Sequence, residues 1–78
     1  MNIEITSHAK ERMEKYDLSE NLLILCINQP DRISESYRNR KIFERKINGY
    51  VLRAIVEESK EIKTIVTVYK ARSQRYGI

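Results

Sequence analysis

The sequence predicts an α+β domain with two N-terminal helices packed on a curled antiparallel sheet of three to four strands. Three observations predict it. Apolar residues before Pro30 recur at helical spacing, and those after it alternate. Pro30 itself disfavours helical geometry in the residue before it. Asn48-Gly49 is the strongest turn signal in the chain and favours a two-residue hairpin loop with both residues at positive φ. The 78 residues leave room for one core, so residues 1–78 are read as a single domain.

The elements follow in order. Ile3 and Ile5 flank Glu4 and suit either a brief edge strand or an extended lead-in. Thr6 or Ser7 is placed to cap a helix over about Ser7–Tyr16, in which Ala9, Met13 and Tyr16 form one buried stripe. His8 and Arg12 are i, i+4 neighbours on its flank. Ser19 caps the second helix, whose face is Leu22, Leu23, Cys26 and Ile27, and Asn28-Gln29-Pro30 ends it. Asp31–Tyr37 reads as a weak strand, Arg38-Asn39-Arg40 as a turn and Lys41–Ile47 as a strand. Tyr50–Glu58 has the near-continuous apolar run of a central strand, and Ile62–Tyr69 is the last. The tail from Lys70 to Ile78 is expected to cap the sheet or lie across its edge.

Turn positions set the register. A loop at Asn48-Gly49 places Glu44 opposite Arg53, and a second loop at Ser59-Lys60 places Arg53 opposite Val66, Leu52 opposite Thr67 and Tyr50 opposite Tyr69. One face then carries Phe43, Ile47, Leu52, Ala54, Val56 and Ile65 and should meet the helices. The other carries Ile42, Glu44, Lys46, Val51, Arg53, Ile55, Val66 and Val68.

Composition narrows the function classes. Cys26 is the only cysteine, so there is no disulfide framework, and a reducing compartment is expected. Met1–Ile5 lacks the basic and apolar regions of a signal peptide, and no apolar run approaches the roughly 20 residues of a membrane helix. A cytoplasmic, non-membrane protein is the expectation. The net charge is +4, with the excess in the second half. Arg38, Arg40, Lys41, Arg45, Lys46 and Arg53 face a single acid, Glu44, in one stretch, and Lys63, Lys70, Arg72 and Arg75 follow Ile62 with no acid at all. Such bias suits a polyanion or an acidic protein, or simply a solvated face. Arg38, Arg40, Arg45, Lys46, Lys70, Arg72 and Arg75 are the candidate nucleic-acid contacts.

Few residues can carry chemistry. His8 is the only histidine. With Arg12 it supplies a proton-transfer group beside a phosphate clamp, a pair able to cleave RNA without a metal; a plain surface histidine is the competing reading. Arg53 interrupts an apolar strand, and either pairs with Glu44 across the hairpin or forms the cationic floor of a site. Thr67 and Tyr69 are polar groups on the last strand, where alternation also explains them as strand formers. One histidine and one cysteine cannot make a zinc site, and two glycines cannot make a phosphate loop. No metal and no cofactor is expected.

Ser7-His8-Ala9-Lys10-Glu11-Arg12-Met13 resembles the HAxxRM opening of a widespread family of small, mostly uncharacterised microbial domains. These continue with a second helix ending near a proline, strands, and a closing pattern like Thr64–Tyr69. The layout is similar to BrnT and RelE-type toxins of toxin–antitoxin pairs, with Glu44-Arg45 before the hairpin and Ala71-Arg72 through Arg75-Tyr76 as the BrnT-like echo. The resemblance implies a RelE-like fold, metal-independent RNA cleavage by 2′-hydroxyl attack, and an acidic antitoxin as partner. It carries His8 and Arg12 from the opening motif and Thr67 and Tyr69 from the closing strand; Arg53 rests on its position alone. The ParE branch inhibits gyrase instead, so a non-catalytic binding module of the same fold is the alternative.

Overall fold

A computed structural model of the chain describes residues 2–72. Strand β1 (Asn2–Ile5) leads into helices α1 (Ser7–Tyr16) and α2 (Glu20–Asn28). Strands β2 (Arg32–Glu35), β3 (Arg40–Ile47), β4 (Tyr50–Ser59) and β5 (Ile62–Arg72) complete one sheet of order β1-β5-β4-β3-β2. The sheet therefore has five strands, not three to four. It is mixed, not purely antiparallel, because β1 pairs parallel with β5. The extra strand is the Ile3–Ile5 segment, whose pairing to Lys63–Ile65 spans almost the whole chain.

Local chemistry sets the helices. The Thr6 hydroxyl accepts from the Ala9 N–H at 3.0 Å and caps α1. Helix α1 stops at Asp17, which takes the left-handed conformation (φ 55). Its N–H reaches Glu14 O, and Leu18 N–H reaches Met13 O, so the last carbonyls are satisfied and buried Leu18 turns back over the helix end. The Ser19 hydroxyl caps α2 by accepting from Leu22 N–H. The helices close one face of the sheet over Ala9, Leu23, Cys26, Ile27, Phe43, Leu52, Ala54, Val56, Ile65 and Val68. Cys26, fully buried, points its thiol at the carbonyls of Phe43 and Leu52, and burial pushes its pKa up to about 12.

The β3–β4 hairpin forms as the sequence dictates. Asn48 (φ 41) and Gly49 (φ 88) make the two-residue turn, with Ile47 opposite Tyr50 and Glu44 opposite Arg53. The β4–β5 register differs from expectation. The turn is Lys60-Glu61, with Ser59 opposite Ile62, and a bulge lies at Ile55/Val56. Val56 faces Ile65 and Ile55 faces Thr67, so Val66 is the extra residue. Arg53 consequently faces Tyr69 rather than Val66, Leu52 faces Lys70 rather than Thr67, and Tyr50 faces Arg72 rather than Tyr69.

The one-residue turn shift moves each pairing by two residues and preserves faces, but the extra residue reverses them for everything beyond it. Val68, expected on the outer face, enters the core, while Thr67 and Tyr69 move to the outer face beside Ile55 and Arg53. Thr6 braces the bulge: its hydroxyl donates to Val66 O at 2.9 Å, and its N–H to Ile65 O. Strand β5 runs on to Arg72, so the start of the expected capping tail belongs to the sheet; the rest of that tail lies outside the described residues. No helix among the described residues is long and apolar enough to cross a membrane.

Candidate functional site

The outer face, away from the helix-packed core, holds the unusual polar chemistry. Near its β2 edge, Glu44 is 1% exposed and binds two guanidinium groups. Arg32 Nε and Nη2 donate to its two carboxylate oxygens at 2.7 and 3.2 Å, and Arg53 Nε donates to Oε2 at 3.0 Å. The hydrogen bond to Glu44 holds the Arg32 pKa above its ordinary value. The expected Glu44–Arg53 pair is thus one arm of a triad, and strand alternation gave no hint of the second arm from β2. A carboxylate this buried is tolerated because both its oxygens are engaged by cations.

Beside this triad lies a groove of about 560 Å³, within the roughly 300–1,000 Å³ typical of small-ligand sites. Ile55, Thr67 and Tyr69 line its strand side, and the β2–β3 turn supplies Ser36, Tyr37, Arg38 and Arg40. That turn is tight: Arg38 (φ 57) and Asn39 (φ 61) both lie in the left-handed region, and Arg40 N–H closes it on Tyr37 O. A bulky arginine in that region is uncommon and carries backbone strain.

Two polar atoms of the groove lining, and a third on a side chain stacked against it, have no hydrogen-bond partner among the described residues. They are Thr67 Oγ1, Arg40 Nε and Arg12 Nε, all buried. Arg40 also reaches Glu57 through Nη2 at 3.4 Å. Arg12 comes from α1 and stacks its guanidinium over the Tyr69 ring, 5.4 Å from the centroid. Buried donors normally find partners, so two such groups in one groove lining suit a ligand rich in acceptor oxygens.

The expected site residues divide. Thr67, Tyr69, Arg38 and Arg40 line the groove, and Arg12 joins it through Tyr69. Arg53 sits opposite Tyr69 in the sheet, yet its guanidinium is held by Glu44 and does not line the groove. His8 is exposed in the first turn of α1, outside the groove lining. Lys46 is exposed on the outer face, its backbone N–H donating to Asp31. Arg45 lies on the helix-bearing face and donates to the Gln29 carbonyl. Lys70, opposite Leu52, and Arg72, opposite Tyr50, share that face, with Lys70 Nζ 4.4 Å from the Tyr50 ring centroid. Arg75 lies outside the described residues. Sequence reasoning missed Ser36 and Tyr37. Tyr37 carries a readable signal, as an aromatic residue immediately before a basic turn.

No group of three or more His, Cys, Asp or Glu side chains among the described residues is placed to hold a metal. Fold and site together define a small α+β domain with an arginine- and tyrosine-lined groove on the outer face of a mixed sheet. Residues 5–70 match the family described as "Domain of unknown function (DUF4258)", and the chain belongs to that family. No curated protein and no solved structure matches it.

Proposed function

We propose that this chain is a toxin-like, metal-independent endoribonuclease that works from the outer-face groove and is neutralised by an acidic antitoxin. One observation carries the reading: Thr67 Oγ1 and Arg40 Nε are buried without a hydrogen-bond partner among the described residues, in a groove that Arg38, Tyr37 and Tyr69 complete. A phosphodiester offers the oxygens these donors lack, and arginine binds it through parallel hydrogen bonds. The resemblance of the HAxxRM opening and the closing strand to BrnT- and RelE-type toxins supplies the reaction class.

In that reaction the ribose 2′-oxygen loses its proton to a base and bonds to the adjacent phosphorus. The bond from phosphorus to the 5′-oxygen then breaks, and the leaving oxygen takes a proton. Arg40 and Arg12 stabilise the charge that gathers on the phosphoryl oxygens, and the Tyr69 hydroxyl adds a hydrogen bond. His8 stands one helical turn before Arg12, which stacks on Tyr69, so in this reading it acts from the rim of the groove. As acid or base there, His8 contributes about 10²–10⁴-fold.

The position of His8 outside the groove favours a second reading, a binding module of the same fold that grips RNA or a gyrase-type target without cutting it. Incubation with mixed RNA and with ribosomes, with and without EDTA, separates the two. The nuclease reading expects cleavage that survives EDTA, 2′,3′-cyclic phosphate or 3′-phosphate ends, and uncut DNA, which lacks the 2′-hydroxyl. Loss of all cleavage in EDTA, or full activity in a folded His8→Ala variant, contradicts that mechanism. Binding without cleavage selects the module.

A further inference from the structure

Tyr37 has no place in the core. It is 89% exposed, far more than Ile33, the other exposed large hydrophobic side chain among the described residues, at 50%. An aromatic ring in water is unfavourable unless something covers it. Yet its backbone is held in a defined place. The backbone of the β2–β3 turn is closed at both ends, with Ser36 N–H on Arg40 O and Arg40 N–H on Tyr37 O. The strained positive φ of Arg38 lies immediately after the ring. The turn thus presents Tyr37 and Arg38 together at the groove that contains Thr67 and Tyr69.

We propose that Tyr37 is a base-stacking platform that makes the groove selective for single-stranded RNA. The inference rests on the RNA reading above and adds to it a residue and a substrate form. Its logic is a division of labour within one groove. Arg40 Nε and Thr67 Oγ1, which have no hydrogen-bond partner among the described residues, meet the phosphate. Tyr37 offers the π-face that an unpaired base covers on leaving its stack. A duplex keeps both faces of each base covered by its neighbours, so it gains only the phosphate contacts. The strain at Arg38 fits the same account, because a flexible glycine there would leave the ring less firmly placed.

The test measures binding of short oligoadenylate, a blunt RNA duplex and an abasic ribose-phosphate oligomer to four chains: the unaltered protein, Tyr37→Ala, Tyr37→Phe and Arg40→Gln. Melting temperature serves as the fold control, and the exposure of Tyr37 predicts that it stays put in both Tyr37 variants. The expected result is that oligoadenylate binds the unaltered chain at least about tenfold more tightly than the abasic oligomer. Tyr37→Ala removes that preference, Tyr37→Phe keeps it, and Arg40→Gln weakens all three probes alike. Unchanged oligoadenylate affinity in Tyr37→Ala overturns the stacking role while the RNA reading of the groove stands. Equal affinity of the unaltered chain for duplex and oligoadenylate also overturns it. Failure of the unaltered chain to bind any of the probes overturns the RNA reading and this inference together.

Discussion

The two faces of the sheet are built from alternate residues of the same strands and have opposite character. The helix-bearing face reads Phe43, Leu52, Ala54, Val56, Ile65, Val68; these side chains are at most 2% exposed and carry no polar atom. The outer face reads Ile42, Glu44, Arg53, Ile55, Thr67, Tyr69. It contains a buried carboxylate with two cations and a buried hydroxyl with no partner among the described residues. The first face supplies folding energy through apolar burial. The second holds polar groups that a stability-optimised sheet would replace, which is the pattern of a face retained for binding.

That asymmetry can be broken experimentally, beginning with the largest effect. Leu52→Ala should lower unfolding free energy by about 2–5 kcal/mol in urea titrations, since Leu52 is fully buried. Ile55→Ala, on the half-covered outer face, should lower it by less than half as much. Equal losses would mean the two faces share the core.

Glu44→Ala comes next. It strips Arg32 and Arg53 of their common carboxylate and should destabilise by about 2–4 kcal/mol. Arg53→Met leaves Glu44 with Arg32 and should fold with little change. A folded Arg53→Met variant that binds RNA normally removes Arg53 from the site; one that loses affinity restores it.

Adjacent residues give the sharpest contrast. Thr67→Val removes a hydroxyl with no partner among the described residues and should be neutral or mildly stabilising, while weakening RNA binding. Val68→Thr puts a hydroxyl into the core and should destabilise by about 1–3 kcal/mol. The reverse pattern in thermal melts would show that the bulge does not set these faces.

A smaller effect lies in Cys26. Its pKa is raised by burial from 9.0 to about 12, so an unfolded chain loses the thiol proton first as pH rises. The thiol's contribution is full below about pH 9 and declines as pH climbs toward 12. The stability advantage over Cys26→Ala should therefore shrink between about pH 9 and 12, and the native thiol should resist alkylation until unfolding. Smallest is Arg38→Gly, which relieves a positive φ and should stabilise by roughly 0.5–1 kcal/mol while weakening RNA binding.

Local signals were legible in the sequence where neighbours decide the structure. The caps of both helices, the stop at Pro30 and the Asn48-Gly49 hairpin depend on residues a few positions apart. From that hairpin alone came the Glu44–Arg53 pairing. What escaped was non-local. The alternation of Ile3 and Ile5 about Glu4 left an edge strand and an extended lead-in both open; the parallel pairing with β5 decides for the strand. The bulge at Val66 is fixed by Thr6, sixty residues away in sequence, and no turn chemistry marks it. Missing it placed Thr67 and Tyr69 on the wrong face, although both had been singled out as candidates. His8 and Arg12 were correctly read as helix neighbours, but only the fold shows Arg12 on Tyr69 and His8 outside the groove lining.

The central claim is that the outer face, and not the helix-bearing face, binds RNA. One arginine on each face tests it directly. Arg40 lines the groove, and Arg45 lies across the sheet on the Gln29 carbonyl. Affinity for single-stranded RNA should be measured across a salt series for Arg40→Gln and Arg45→Gln, at a temperature where melts show both folded. The account predicts that Arg40→Gln weakens binding about tenfold and reduces the salt slope by about one, while Arg45→Gln stays within about twofold of the unaltered chain. Equal losses from the two substitutions, or a loss confined to Arg45→Gln, would contradict it.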